Sequence, residues 1–223
     1  MLKNEISDKK GIIFDFDFTL ADSSKGVVKC VNYALKKLNF SEFSEKEIKK
    51  TIGLSLEHTL LNLVGNHHSD KTKEFKSYFI EKANEVMSDL TELFKETPKV
   101  IKLLNRNNFK LGIVSTKYRF RIETILRREN ILNLFEVIIG GEDVRELKPN
   151  PFGLILATKK LNLLPSDVVY IGDTTIDAET AYRAGVSFLA ILSGVTLRCA
   201  FKGFQVKYFL ENISAIPPLL GIE

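Results

Sequence analysis

Short apolar runs that alternate with helical patterns are the feature of this sequence that most constrains its fold. Each run has the length of a strand, is rich in β-branched residues and is almost continuously apolar, which is typical of strands buried on both faces of a parallel sheet. Helical patterns separate the last four runs, so the sequence predicts a doubly wound, parallel α/β sheet. The five runs span residues 11–17, 110–116, 135–141, 167–173 and 187–194.

Cap and turn residues mark the ends of the helical segments. Thr97 followed by Pro98, and Asn150 followed by Pro151, have the cap-and-proline order of a helix start. Gly185 follows a helical pattern and predicts the end of a helix. We therefore expect each crossover between the later strands to contain one helix.

The gap between the first and second runs is too long for a single crossover helix. Residues 21–96 contain apolar residues at helical spacing and a capping-box pattern at residues 44–47, but no convincing strand. The sequence thus predicts an all-helical domain at residues 21–96, inserted after the first strand. Residues 1–20 and 97–223 would together form the α/β core domain.

Composition argues against several classes of partner. The 223 residues carry a formal net charge of +4, which is too small to indicate a nucleic-acid-binding protein. No run approaches the roughly 18 apolar residues of a membrane span, and residues 1–10 are polar. Cys30 and Cys199 form no disulfide framework or zinc pattern, which favours a reduced, cytoplasmic compartment. We expect a monomer or a weak dimer with neither a nucleic-acid nor a membrane partner.

Acidic residues end two of the predicted strands. Asp15 and Asp17 are two residues apart, so on a regular strand their side chains would point to the same side. Asp173 ends another apolar run, and Asp177 follows four residues later. Folds of this class bind ligands at the carboxyl ends of their strands, and an all-oxygen site there suits Mg²⁺.

Two further segments supply complementary groups. Ser115 and Thr116 end a strand with hydroxyl and N–H groups, and Lys148 precedes a predicted helix start. Each feature alone has an ordinary explanation as a cap, a turn or a solvent-facing charge. Their coincidence at or just beyond strand ends of one predicted sheet favours phosphoryl transfer, in which positioning and charge neutralisation provide most of the catalysis.

Four motifs in this order resemble those of the haloacid dehalogenase-like hydrolase superfamily, and more narrowly its phosphoglycolate phosphatase-like branch with a helical cap. The segment DFDFTLADSS resembles the motif DxDGTLxDS, and VSTK resembles the hydroxyl motif. KPNPFGL resembles the lysine motif, and GDTTIDAETAYRAG resembles the acidic motif. IGLSLEHTL resembles a glycine-containing cap segment that faces the active site. The resemblance implies a Rossmann-like core with an inserted all-helical cap domain.

The resemblance also implies catalytic roles. Asp15 would be the nucleophile that forms an aspartyl-phosphate. Asp17 would protonate the leaving oxygen and then activate the attacking water. Ser115, with Thr116 beside it, would bind the transferring phosphoryl group, and Lys148 would offset the negative charge.

A magnesium site is implied in the same way. Asp15, the backbone carbonyl of Asp17 and Asp173 would bind Mg²⁺. Asp177 would support the motif lysine or a metal-bound water, and Thr19 would orient the loop that follows the first strand.

Several positions depart from the family pattern or lie outside its catalytic motifs. Phe18 replaces the usual glycine of DxDGT and would place a bulky aromatic side chain beside the site. Lys117 lies in a basic cluster that would either contact an anionic substrate or form the solvated start of a helix. Gly53 and His58 would approach the substrate from the cap, although a histidine on a helix surface is the more ordinary reading of His58.

The function expected from these features is that of a Mg²⁺-dependent phosphatase acting on a small phosphorylated metabolite, either phosphoglycolate-like or a sugar phosphate. A β-phosphoglucomutase-like phosphomutase and an inorganic pyrophosphatase are alternatives that would use the same aspartyl-phosphate chemistry. A binding protein without activity is a third class, which the full set of chemical groups disfavours.

Overall fold

In a computed structural model, which describes residue 6 and residues 8–222, the chain forms two compact units. The α/β unit comprises Met1–Ala21 and Leu93–Glu223, and the helical unit comprises Asp22–Glu92. The boundaries predicted from the sequence lay at residues 20/21 and 96/97. Residues 93–96 lie in the α/β unit, where the N–H of Phe94 donates to the carbonyl of Leu20 over 3.0 Å.

The described residues contain eight strands and nine α-helices. The strands are β1 (Gly11–Phe14), β2 (Ala21–Asp22), β3 (Glu92–Leu93), β4 (Lys110–Val114), β5 (Val137–Ile139), β6 (Val168–Gly172), β7 (Ser187–Ile191) and β8 (Tyr208–Leu210). The helices are α1 (Ser24–Lys37), α2 (Glu45–Lys49), α3 (Leu56–Val64), α4 (Thr72–Val86), α5 (Thr97–Arg106), α6 (Arg119–Arg128), α7 (Phe152–Lys160), α8 (Thr175–Ala184) and α9 (Ile216–Leu219).

Six of the strands form a parallel sheet in the order β5-β4-β1-β6-β7-β8. The first strand of the chain therefore lies in the interior of the sheet, with later strands added on both sides of it. The direction in which successive strands are added to the sheet changes beside β1, and open α/β sheets bind ligands at such a point.

Alternate residues of β1 pack into two different hydrophobic cores. Ile12 and Phe14 pack with residues of α5 and α6, whereas Ile13 packs with residues of α7 and α8. Because both faces of the strand are covered, its side chains are apolar without interruption. The predicted doubly wound, parallel α/β fold is confirmed.

The sequence analysis missed β8, missed the two-residue strands β2 and β3 at the ends of the range predicted to be all-helical, and extended β1 too far. β8 has three residues and pairs with β7 alone among the described strands, and its first residue, Tyr208, is exposed, so it lacks the continuous apolar pattern of an interior strand. β1 ends at Phe14, and the chain then turns, with three successive N–H groups of residues 19–21 donating to the carbonyl of Phe16.

Helix ends follow the sequence signals in part. Gly185 ends α8 in the left-handed conformation, with a φ of 68°, as predicted. Thr97 was expected to cap a helix, but it is the first residue of α5, and its hydroxyl donates to the carbonyl of Leu20 over 2.8 Å. Pro98 lies in the first turn of α5, where no intrahelical N–H is needed.

The helical unit contains α1–α4 around a core of its own. Cys30, Leu35, Leu60 and Phe75 are fully buried in this core. Ser44 and Glu47 form the capping box expected at residues 44–47. The two-residue strands β2 and β3 pair where the chain passes from one unit to the other.

No helix in the described part of the chain combines the length and the apolar character that crossing a membrane requires.

Candidate active site

Three buried carboxylates lie together at the carboxyl ends of β1 and β6. The two strands are neighbours, and the N–H of Asp15 donates to the carbonyl of Ile171 over 2.8 Å, just beyond the end of β1. Asp173 directly follows β6, and Asp177 lies in the first turn of α8. Ligand oxygens of the three aspartates lie within 4.8 Å of one another, and each residue is at most 2% exposed.

Lys148 supplies positive charge to this acidic cluster. Its Nζ lies 2.8 Å from Oδ1 of Asp15 and 2.6 Å from Oδ1 of Asp177, and it donates to the hydroxyl of Tyr170 over 3.1 Å. The Lys148 side chain is only 6% exposed, so the two ion pairs replace hydration that the ammonium has lost.

The Asp177 carboxylate is fully engaged by neighbouring groups. Its Oδ2 accepts from the N–H and the hydroxyl of Thr174 over 3.1 and 2.6 Å, completing a capping box at the start of α8. Its Oδ1 accepts from Lys148 and from the hydroxyl of Tyr170. Asp177 therefore contacts Lys148, the lysine of the motif, and this contact was one of the two roles predicted for Asp177.

Burial and mutual repulsion dominate the protonation of the cluster. Burial, with the charges of Asp177 and Asp17 adding to it, raises the pKa of Asp15 to about 6, although Lys148 opposes the rise. Burial followed by the charges of Asp177 and Asp15 holds the pKa of Asp173 well above its usual range. Burial lowers the pKa of Lys148, but Asp15 and Asp177 outweigh it and hold this pKa well above its usual range. The cluster would therefore gain from one more cation.

The residues present fit a divalent metal ion. Among the described residues, Oδ1 of Asp15 and Oδ2 of Asp173 are buried and have no hydrogen-bond partner, although Nζ of Lys148 forms an ion pair with the former at 2.8 Å. A side chain at Gly194 would collide with this same oxygen of Asp173, so the glycine leaves the space beside it open. Carboxylate oxygens with unsatisfied lone pairs are the ligands that Mg²⁺ prefers.

The carboxylate of Asp17 is not part of this cluster. It forms an ion pair with Lys117, whose Nζ donates to Oδ1 over 2.8 Å. The regular-strand argument that placed Asp15 and Asp17 together does not apply, because β1 ends at Phe14. The expected alternative for Lys117, a solvated helix start, is wrong because its side chain is only 4% exposed. The role of the Asp17 carbonyl as a metal ligand stays a prediction.

The predicted phosphate-binding residues lie at the neighbouring strand end and in the loop after β1. Ser115 follows β4, which pairs with β1, and its buried hydroxyl accepts from the N–H of Lys117 over 3.3 Å. Thr116 is half-buried beside it. The hydroxyl of Thr19 is buried without a hydrogen-bond partner among the residues that the structure describes, so its role in orienting the loop stays a prediction.

Phe18 has a backbone conformation that favours glycine. Its φ is 57°, its side chain is buried, and its N–H donates to the carbonyl of Ala21 over 2.7 Å. Its own carbonyl accepts from the hydroxyl of Ser193 over 2.5 Å. The left-handed conformation accounts for a glycine at this position in the resembling motif, because a Cβ is costly there.

Comparison with known proteins agrees with these features. The sequence profile described as haloacid dehalogenase-like hydrolase matches residues 12–191. The chain belongs to this family. The family predicted from the four motifs is thus confirmed, and with it the assignment of the chain as a hydrolase.

Individual relatives cover nearly the whole chain. A phosphoglycolate phosphatase of Escherichia coli (strain K12) is 25% identical over 98% of this chain and 95% of its own length. A crystal structure of a haloacid dehalogenase-like hydrolase from Bacteroides fragilis is 38% identical, with a TM-score of 0.89 over 93% of this chain and 99% of its own. A structure from Lactobacillus plantarum, named for a phosphoglycolate phosphatase, is 24% identical with a TM-score of 0.83 over 95% of this chain and 99% of its own, and it supports the fold alone.

Sequence reasoning missed two residues of the site, Tyr170 and Ser193. Tyr170 is fully buried, yet its hydroxyl contacts Lys148, Asp177 and the carbonyl of Val114. A tyrosine within an otherwise apolar strand was the available signal, since a buried hydroxyl requires partners. Ser193 gave no such signal, because its contact with the loop after β1 joins positions 175 residues apart.

The predicted cap residues lie in the helical unit. Gly53 has a φ of 96°, which favours glycine, in the turn that precedes α3. His58 lies in the first turn of α3, where its Nδ1 is 2.8 Å from the hydroxyl of Ser55, the N-cap. A local contact of this kind is consistent with a helix-surface histidine. Substrate contacts by Gly53, His58 or Phe18 stay predictions.

Proposed function

We propose that the protein is a Mg²⁺-dependent phosphatase that hydrolyses small phosphomonoesters through an aspartyl-phosphate on Asp15. The observation that carries the proposal is the surrounding of the Asp15 carboxylate. It is buried, it is paired with Lys148, and it lies beside Asp173, whose Oδ2 has no hydrogen-bond partner in the described part of the chain. Such a carboxylate can be held as a nucleophile while the cations around it offset the charge of a phosphoryl group.

The proposed reaction has two steps in which Asp17 exchanges one proton. A carboxylate oxygen of Asp15 attacks phosphorus, the bond to the leaving oxygen breaks, and Asp17 gives its proton to that oxygen. Water then attacks phosphorus and gives a proton to Asp17, the bond to Asp15 breaks, and inorganic phosphate leaves. Asp17 ends the cycle protonated, as it began, and between the two transfers it is a carboxylate, the form that an ion pair with Lys117 stabilises.

The other residues would stabilise the charge that develops on the phosphoryl group. Lys148 lies beside Asp15, and Ser115 lies at the end of the adjacent strand. Mg²⁺ held by Asp15, Asp173 and the Asp17 carbonyl would, when bound, offset negative charge on the phosphoryl oxygens. Because these groups are largely buried, each electrostatic contact is stronger than it would be in water.

The relatives guide the choice of substrate. Curated relatives are named phosphoglycolate phosphatase, and they align over nearly the whole chain. We therefore propose a small phosphorylated metabolite, either phosphoglycolate-like or a sugar phosphate. We further propose a cytoplasmic enzyme that acts as a monomer or weak dimer, on the basis of its composition and of two cysteines that form no disulfide with each other.

Metal-dependent hydrolysis of 4-nitrophenyl phosphate tests the proposal. We expect turnover with Mg²⁺, none in excess chelator, and a loss of about 1,000-fold or more in kcat for Asp15→Asn, because the nucleophile is removed. Asp167→Asn, which makes the same chemical change at the opposite end of β6, serves as the matched control and should keep full activity. Turnover by Asp15→Asn, or full activity in chelator, would contradict the proposal.

A panel of natural phosphate compounds then defines the substrate class. It contains phosphoglycolate, sugar phosphates and pyrophosphate, all assayed at one Mg²⁺ concentration. Release of inorganic phosphate from carbon-based monoesters supports the phosphatase. Sugar phosphate isomerisation without phosphate release would indicate the mutase instead, and a preference for pyrophosphate would indicate the pyrophosphatase.

A further inference from the structure

We propose that Lys117 is a positioning residue that orients the carboxylate of Asp17 for proton transfer. The inference rests on the proposed function, because it assumes that Asp17 exchanges a proton with the leaving group and with water. It replaces the substrate contact that the sequence suggested for Lys117 with a contact inside the protein.

The ion pair between the two side chains is short and largely buried. Nζ of Lys117 donates to Oδ1 of Asp17 over 2.8 Å, and the side chains of Lys117 and Asp17 are 4% and 12% exposed. Nζ also lies over the Phe16 ring, 5.9 Å from its centroid. Among the described residues, no second carboxylate is found within ion-pair distance of Lys117.

The backbone of Lys117 is held in place from two sides. Its N–H donates to the hydroxyl of Ser115, and its carbonyl accepts from the N–H of Gly141 over 3.1 Å. A side chain at Gly141 would collide with the carbonyl of Thr116, and one at Gly140 would collide with the N–H of Arg119. The turn after β4 therefore packs closely against the loop after β5. This packing fixes the backbone position from which the Lys117 side chain extends.

Stability alone gives little reason for a buried ion pair. Removing two charges from water costs free energy that their attraction often does not recover, so apolar residues at such positions are commonly as stable. Arg119, two residues later, illustrates the ordinary alternative, since it is about half exposed and pairs with Asp143 at the surface. The burial of Lys117 and Asp17 as a pair at the loop that also carries Asp15 points to a role in the reaction.

The contact leaves one carboxylate oxygen of Asp17 for chemistry. Lys117 occupies Oδ1, so Oδ2 is the oxygen that would carry the proton to the leaving group and later take one from water. Without the lysine, the Asp17 side chain could rotate, and the fraction of time that Oδ2 faces the phosphoryl group would fall. Misplaced proton donors reduce rates for substrates whose leaving oxygen must be protonated.

A leaving-group series tests this role in the variant Lys117→Met. We measure kcat/KM, which reports steps up to departure of the leaving group, for 4-nitrophenyl phosphate, phenyl phosphate and ethyl phosphate. Nitrophenolate leaves without a proton, whereas ethoxide requires one. We expect losses below about 3-fold for the nitrophenyl ester and of about 10-fold or more for the ethyl ester, with phenyl phosphate between them.

Two further variants complete the design. Lys117→Arg keeps a cation that can pair with Asp17, and it should restore most of the activity toward ethyl phosphate. Lys110→Met removes a lysine from the opposite end of β4 and should leave the ratios of kcat/KM among the three esters unchanged. Thermal melting of each variant verifies that it is folded.

The outcomes separate the inference from the proposed function. If Lys117→Met lowers kcat/KM equally for all three esters, Lys117 binds the phosphoryl group or stabilises the fold, and the positioning role is overturned. If the arginine variant shows the same leaving-group dependence as the methionine variant, the role is also overturned. If the unaltered protein hydrolyses none of the esters, the proposed function itself fails.

Discussion

Two buried lysines contact three of the four acidic residues of the site. Lys148 contacts Asp15 and Asp177, and Lys117 contacts Asp17. Each lysine thereby holds one carboxylate of the DxD segment in a separate environment, one adjacent to Asp173 and one away from it. This separation matches the two roles proposed for them, because a nucleophile and a proton donor must approach the phosphoryl group from different positions.

Tyr170 stabilises the environment of Lys148, and Tyr170→Phe removes only its hydroxyl. We expect a loss of about 1–3 kcal/mol in the free energy of unfolding, because Lys148, Asp177 and the carbonyl of Val114 each lose a buried partner. Denaturant unfolding measures this loss. The control is Tyr33→Phe, whose hydroxyl donates to Glu81 at the surface of the helical unit and should matter much less. Equal losses in the two variants would contradict the importance of the buried network.

At the scale of single elements, the turn after β1 determines where the site residues lie. Strand pairing ends at Phe14, three N–H groups then converge on the carbonyl of Phe16, and Phe18 adopts the left-handed conformation. The hydroxyl of Ser193, which follows β7, holds the carbonyl of Phe18. The turn is therefore fixed both by its own hydrogen bonds and by a contact from across the sheet.

The conformation of Phe18 predicts an unusual order of stability for two variants. Phe18→Ala and Phe18→Gly both remove the buried ring, but only glycine relieves the strain of a φ of 57°. We expect the glycine variant to be more stable than the alanine variant by about 1 kcal/mol in denaturant unfolding.

Leu20 provides the matched control for this pair. It is buried two residues later and has no left-handed backbone, so alanine should be more stable than glycine at this position. The same order of stability at both positions would show that strain at Phe18 is negligible.

At the scale of the whole molecule, the strand order brings distant segments of the chain together at the carboxyl ends of the parallel strands. Asp15, Ser115 and Asp173 follow three adjacent strands, although they are separated by up to 158 positions in the sequence. Lys148 lies in the segment between β5 and α7, and its side chain contacts Asp15 at these strand ends. All three aspartates of the acidic cluster belong to the α/β unit. The helical unit has a separate core.

The raised pKa of Asp15 predicts how metal affects stability as pH changes. Folding raises this pKa from 3.8 to about 6, so the associated stability is present below the unfolded value and is lost as pH rises through about 6. The shift of Asp173 has the same direction. Between about pH 4 and pH 7, we therefore expect Mg²⁺ to raise the melting temperature by an increasing amount relative to chelator.

The variant Asp15→Asn isolates the contribution of this carboxylate. Differences between the melting temperatures of the unaltered protein and the variant cancel the effects of titrating groups distant from Asp15, whereas the altered titration of Asp173 and Lys148 remains part of the difference. In chelator, the variant should gain stability relative to the unaltered protein as pH rises across this range, and Mg²⁺ should stabilise the variant less. A relative gain in the opposite direction would contradict the burial-driven shift.

Local sequence determined the strands of the interior, the family and the chemical groups of the site. The runs around β1, β4, β6 and β7 are apolar because both sheet faces are covered, and this pattern can be read directly from neighbouring residues. The aspartates and Lys148 were found because motif order and strand ends are also local features. The edge strand β8 was missed because it is short and partly exposed, so its pairing with β7 leaves little trace in the sequence.

The tertiary structure alone decided which charged groups contact one another. Lys117 and Asp17 are 100 residues apart, and no local pattern indicates that the Lys117 ammonium pairs with the Asp17 carboxylate. The same is true of Tyr170 with Lys148 and of Ser193 with Phe18. Sequence periodicity records which faces are buried, whereas the pairing of buried polar groups depends on strand order and on where each strand ends.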